Sequence, residues 1–146
     1  MRTVKLIGMA VVVLTVATVA AGQGFKVYPG AKKLVSPESK DASASLPGVQ
    51  IDSYLTDDPF EKVVAFYKSI GKESAVSFLK KSEKLPNGQE LTRTWFIFDG
   101  AADITTSKSW AMVQRPYVPV DDNGELQYKN ARNVTAIVVQ QVTQNK

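Results

Sequence analysis

The chain has 146 residues, 44% of them hydrophobic, a formal net charge of +4, and neither cysteine nor histidine. This length suits one domain with a single core, and the lack of cysteine excludes disulfides and thiolate metal sites. Without histidine the commonest general base and metal ligand is missing, so zinc and haem sites, Ser-His-Asp triads and Cys-His dyads are excluded and no cofactor is expected.

Residues 1–21 are predicted to be a signal peptide. Arg2 and Lys5 give a positive start, and an apolar run from residue 6 to residue 20 follows. The run is shorter than the about 20 apolar residues that a membrane-spanning helix needs. It ends in small side chains, as a signal-peptidase site requires. We therefore expect a periplasmic or secreted protein, cut near Ala20 or Ala21, with no membrane span after cleavage; an uncleaved membrane anchor is the alternative.

Residues 22–48 are predicted to be a lead-in and linker ahead of a single α+β domain at 49–146. Tyr28-Pro29-Gly30 is a turn signal, because proline presets φ and glycine accepts positive φ. Residues 32–47 are rich in serine, lysine and proline, which indicates an exposed loop. Loss of the signal peptide would lower the net charge from +4 to +2, which gives no argument for nucleic-acid binding.

The clearest local signal is a helix over residues 59–70. Asp58 can cap it, Pro59 suits the first helical position, and Glu61 completes a capping box. The apolar residues that follow recur at helical spacing, which indicates one buried face. Gly71 is expected to end the helix.

Strands are predicted on either side of this helix, at 49–55, 92–98, 109–115 and 134–142, from alternation and β-branched content. Residues 74–84 fit either a helix or a short strand, and the apolar spacing of Phe78 and Leu79 favours a helix. The acidic stretch 121–125 lacks the spacing of a calcium loop and is predicted to be a solvated turn. The order predicts an antiparallel sheet of about four strands with the helix packed on one face.

Tyr28-Pro29-Gly30-Ala31, the Tyr54–Asp58 stretch and Phe66-Tyr67 form a pattern that resembles one in small exported bacterial domains of uncharacterised function. In those domains a PGA turn precedes a strand, a Y-x-T-x-D helix start and an F-Y helix face. The likeness covers roughly residues 25–70. It implies a bacterial envelope protein with an α+β fold, and it implies no activity and no catalytic residues.

The favoured function is a non-catalytic binding module for an envelope protein or a polysaccharide. Exposed tryptophan, tyrosine and arginine are the residue types that anchor partners, and aromatic rings also stack on sugars. The candidate binding residues, which are core residues in the alternative interpretation, are Arg93, Trp95, Trp110, Arg115 and Tyr117.

Two other functions stay open. A lipid or small-molecule carrier would need an apolar cavity between helix and sheet, lined by residues such as Phe60, Val64, Phe96 and Val138. A small hydrolase would need two acidic side chains converging in a cleft, at least one with a perturbed pKa. The contributors to such a pair would be Asp52, Asp57, Asp99 and Asp103.

Overall fold

The computed structural model describes residues 24–35, 47–75 and 80–143. These residues form a seven-stranded antiparallel sheet with one helix packed on one of its faces. The predicted signal peptide, residues 36–46 of the predicted linker and the predicted helical positions Phe78 and Leu79 lie outside the described residues. The elements in chain order are β1 (Lys32–Lys33), β2 (Val49–Thr56), α1 (Phe60–Ile70), β3 (Lys72–Ser74), β4 (Ser82–Lys84), β5 (Glu90–Ile97), β6 (Ser109–Arg115), a 3₁₀ turn (Tyr128–Asn130) and β7 (Thr135–Val142).

The sheet order is β1-β2-β7-β6-β5-β3, and β4 also pairs with β5. All pairs are antiparallel. The prediction of one helix on an antiparallel sheet is confirmed, but about four strands is too few. The four long strands are the predicted ones, and the three others have only two or three residues each, too few to show an alternating pattern.

The helix favoured over residues 74–84 is wrong where the segment is described. Ser74 ends β3 opposite Trp95, and Ser82 begins β4 opposite Thr92. Backbone pairing with β5 therefore determines the structure at both described ends of the segment, where the helical spacing predicted otherwise.

The predicted capping box is also absent. The helix begins at Phe60, Pro59 stands at its N-cap, and no side chain caps it. The carboxylate of Asp58 accepts a hydrogen bond from the hydroxyl of Tyr28 at 2.6 Å and pairs with the Lys62 ammonium at 3.0 Å. Asp58 is thus drawn to a long-range partner that the local sequence pattern could not reveal.

The helix ends at Gly71, as predicted, but in extended backbone with φ −141° rather than in a left-handed turn. A Cβ at this position would lie 2.7 Å from Cε1 of Phe98 and 3.1 Å from the carbonyl oxygen of Ile97. Glycine is required here because the buried Phe98 ring packs directly on the backbone.

The main core fills the space between α1 and the sheet. Val63 and Tyr67 of the helix are fully buried, and the Tyr67 hydroxyl donates to the carbonyl oxygen of Lys26 at 3.1 Å. The Phe25 ring stacks on Tyr67 with centroids 5.9 Å apart, so the lead-in is part of the folded body. The sheet contributes Phe96, Phe98, Ala111, Val113, Ile137 and Val139 to this core.

Candidate functional site

The opposite side of the sheet carries a surface with no charged residue. The register places Trp110 beside Gln140, and Met112 beside Val138, on the side turned away from α1. We call the outward side chains of β2, β6 and β7 the open face. They are Val49, Ile51, Ser53, Leu55, Trp110, Met112, Gln114, Ala136, Val138, Gln140 and Val142.

The composition of the open face differs from that of an ordinary solvated sheet. An antiparallel sheet with one face in water usually alternates apolar residues inward with polar residues outward. Here the outward residues are mostly apolar, and all except the buried Ala136 are partly exposed to solvent. The charged residues of these three strands, Asp52 and Arg115, both lie on the helix side.

The neighbouring strand β5 bounds the open face, because its outward residues are covered. Trp95 is 2% exposed and Ile97 is 1% exposed. Leu91 packs with Leu85 and Val118 in a small second core.

Basic residues lie at both lateral edges. Lys32 of β1 pairs with Leu55, and Lys72 of β3 pairs with Ile97, so both lysines lie on the outward side and both are exposed. Beside Leu55 a depression of about 290 Å³, which we call the corner pocket, has walls that include Lys32, Lys33, Asp57 and Arg132. Lys33 already pairs with Asp52 at 2.7 Å.

The structure brings three of the five predicted binding residues onto the outward side of the sheet. Trp110 is a partly exposed member of the open face, whereas Trp95 is buried. Arg93 pairs with Glu83 at 2.8 Å and donates from Nε to the Lys80 carbonyl at 2.8 Å, so its guanidinium is occupied within the domain.

Tyr117 and Arg115 lie elsewhere. Tyr117 follows β6 and exchanges backbone hydrogen bonds with Arg132. Arg115 points to the helix side, where it donates to the carbonyl of Asp58 at 3.0 Å and to the Thr135 hydroxyl at 3.0 Å. It also donates to the side chain of Asn133 at 3.1 Å and to its backbone carbonyl at 2.8 Å. Arg115 thus fastens the start of the helix to the start of β7.

Most of the open face was not predicted from the sequence. Its residues fall within the predicted strands, but only Trp110 was named as a candidate binding residue, and Val138 was expected to line a cavity between helix and sheet. The sequence signal for the open face is that every second position of β2, β6 and β7 lacks a charged residue. That signal becomes visible only when the strands are aligned in register.

The residues of the YPGA and Y-x-T-x-D pattern meet at the start of the helix. The hydrogen bond from Tyr28 lowers the pKa of the Asp58 carboxyl, and the bonded carboxylate raises the pKa of the Tyr28 hydroxyl. The Thr56 hydroxyl accepts a hydrogen bond from the Asp58 amide at 3.2 Å. These contacts hold the lead-in against the start of the helix.

The geometry gives little support to a carboxylate hydrolase. Among the described residues, every carboxyl group with a shifted pKa has a lowered pKa, which is the direction opposite to that of a general acid. In Asp99 burial opposes this, and hydrogen bonds from the Lys108 amide and the Ser107 hydroxyl outweigh it. The full set is Asp58, Glu73, Asp99 and Asp103. Within the described ranges, no three acidic side chains are grouped as a metal site.

The carrier hypothesis required Phe96 and Val138 to line one cavity. The register places Phe96 on the helix side of the sheet and Val138 on the open face, so the sheet itself separates them. A second depression, of about 430 Å³, lies near the start of the helix, and its walls include Phe60, Glu61, Glu90 and Arg115. It is a charged surface feature rather than an apolar chamber between helix and sheet.

Comparison with protein-family models, with curated proteins and with solved structures finds no match for the chain. None of the helices in the described part of the chain is long and apolar enough to cross a bilayer. The open face and its basic edges are therefore the features of the molecule that point to a function.

Proposed function

We propose that this chain is a non-catalytic binding module of the bacterial envelope, which binds a partner protein through the open face. The observation that carries the proposal is the complete lack of charge on the outward side of three adjacent strands. A surface that stays in water gains nothing from a lack of charged residues. An interface gains stability from it, because a charged group at its centre would have to lose its water on binding.

The residue types agree with the anatomy of protein interfaces. Tryptophan and methionine are enriched at interface centres, and lysine is depleted there and more frequent at the rim. The open face has Trp110 and Met112 on β6, beside its central strand β7, with Lys32 and Lys72 toward the lateral edges of the sheet. From strand rise and spacing the face measures roughly 25 Å by 14 Å, an area in the range of apolar patches that are often functional.

A protein partner fits better than a membrane or a polysaccharide. Apolar side chains that enter a bilayer must protrude, and the strongly exposed large hydrophobic residues, Val35 and Leu126 among them, are not part of the open face. Sugar binding relies on exposed aromatic rings, and the open face presents one, Trp110. An uncharged sheet surface of this composition is suited to a second protein surface.

Export is part of the proposal, and the positive start, apolar run and small residues of the first 21 positions support it. N-terminal sequencing of the protein from its native host tests it. A mature chain that begins at Ala21 or Gly22 is expected. A chain that still begins at Met1 would contradict cleavage.

The binding surface can be tested by photo-crosslinking in the native host. A benzophenone amino acid replaces Gln140 on the open face or, as the matched control, Ala65 on the exposed side of the helix. We expect a protein adduct from position 140 and none from position 65. An adduct with polysaccharide, with a second copy alone, or with no molecule would overturn the proposal.

The identified protein is then purified and its affinity measured for the wild type and for Q140K, M112K and A65K. A lysine buried without a partner within the interface should weaken binding about tenfold or more. The A65K variant should bind like the wild type. Thermal melting of each variant checks folding, and equal affinities for Q140K and A65K would refute the assignment of the surface.

A further inference from the structure

We infer that the partner is acidic at this interface and places a carboxylate in the corner pocket. This inference rests on the proposed binding function and specifies the chemistry of the partner. The pocket adjoins the open face, because Leu55 belongs to both. A polypeptide lying on the open face can therefore reach the pocket with a single acidic side chain.

The charges around the corner pocket favour an anion. Lys33 is paired with Asp52 at 2.7 Å. Lys32 and Arg132 are exposed and also line the pocket, and neither has an ion-pair partner among the described side chains. The opposing charge in the pocket wall is that of Asp57 alone. Among the described residues, two cations without an ion pair stand against one carboxylate, so the site is net positive.

The two surfaces together define the ligand class. The open face requires apolar or neutral side chains in the partner, and the corner pocket requires one carboxylate beside them. A volume of about 290 Å³ accommodates a carboxylate side chain together with ordered water, since water occupies about 30 Å³ per molecule in the liquid. A second copy of this chain would present lysines at the same corner, so an acidic partner is the better complement.

The inference can be tested by titrating the isotope-labelled mature protein with two peptides that differ only in charge, acetyl-Leu-Glu-Leu-amide and acetyl-Leu-Gln-Leu-amide. The amide signals of Gly30, Leu34 and Val134, which line the pocket, should shift with the glutamate peptide and not with the glutamine peptide. Equal shifts with both peptides would overturn the inference.

Charge reversal provides the second arm of the test. K32E and R132E should each weaken binding of the glutamate peptide about tenfold, and K129E, at another exposed lysine, should leave it unchanged. Should K32E unfold the protein, K32Q serves instead, with a smaller loss. Unchanged binding in the folded variants would contradict a carboxylate in this pocket.

Inorganic phosphate distinguishes the source of the negative charge. If phosphate shifts the same signals at tenfold lower concentration than acetate, the pocket binds phosphate and the carboxylate assignment is wrong. Binding of the crosslinked partner to the variants shows which of the two proposals has failed. Loss of binding in Q140K but not in K32E and R132E overturns only the corner-pocket inference, whereas retained binding in Q140K overturns the proposed function.

Discussion

Replacement of Arg115 by leucine should destabilise the domain strongly without removing a partner contact. The guanidinium makes four hydrogen bonds, at 2.8, 3.0, 3.0 and 3.1 Å, to groups of Asp58, Asn133 and Thr135. These bonds join the chain just before α1 to the chain at the start of β7. They hold together two segments that are far apart in sequence and adjacent in space.

The magnitude follows from what remains after the substitution. A hydrogen bond to a charged group contributes about 1.5–3 kcal/mol, but the four contributions are not all lost. Thr135 still donates to the Asp58 carbonyl at 2.7 Å, and water can reach the exposed Asn133. We therefore expect a loss of roughly 2–4 kcal/mol, which lowers the melting temperature of a domain of this size by roughly 8–15 °C.

The assay is thermal and urea unfolding of R115L, R115K and, as a matched control, R132L. R115K should fall between R115L and the wild type, because lysine keeps the charge but not the planar fork of donors. R132L changes an exposed arginine and should stay within about 0.5 kcal/mol of the wild type. If R115L is as stable as R132L while its affinity for the partner falls, Arg115 is a binding residue and the structural role is refuted.

Three further predictions concern the core and the acidic groups. W95F, which retains the partly exposed Trp110, should be quenched by acrylamide more strongly than W110F, which retains the buried Trp95; equal quenching would contradict the arrangement of β5 and β6. G71A should cost about 1–3 kcal/mol in urea unfolding, because its Cβ would meet the Phe98 ring, and a neutral result would count against that contact. The melting temperature should be steady above about pH 5 and fall below about pH 4. A carboxyl group whose pKa is lower in the folded state than in the unfolded state stabilises the fold above its unfolded-state pKa. This stabilisation is lost as the pH falls through the folded-state pKa. The carboxyl groups concerned are Asp58, Glu73, Asp99 and Asp103. A melting temperature that does not change between pH 5 and pH 2 would contradict this.

The long elements could be predicted because their signals are local. The helix predicted at 59–70 is observed at Phe60–Ile70, and the strand predicted at 109–115 is observed at Ser109–Arg115. Periodicity over eight or more residues, or a run of β-branched residues, determines such elements with little help from the rest of the chain. The one-sided packing of the helix follows from the order of the elements.

What could not be predicted depends on contacts distant in sequence. Asp58 resembles a helix cap locally, but its partner is Tyr28, thirty positions earlier. Arg115 has the residue type of a partner anchor, but its acceptors lie 18 to 57 positions away. The open face has the same origin, since it exists only where three strands from different parts of the chain are placed side by side.

The two lateral borders of the sheet are short and interrupted. On one side β1 consists of two lysines, and on the other β3 and β4 are three-residue strands that also carry charges. Such borders are poor templates for adding a foreign strand, because they offer few backbone groups in succession and repel a close copy. Edge-to-edge association of copies is thereby disfavoured, which leaves the uncharged open face as the surface through which the proposed binding would take place.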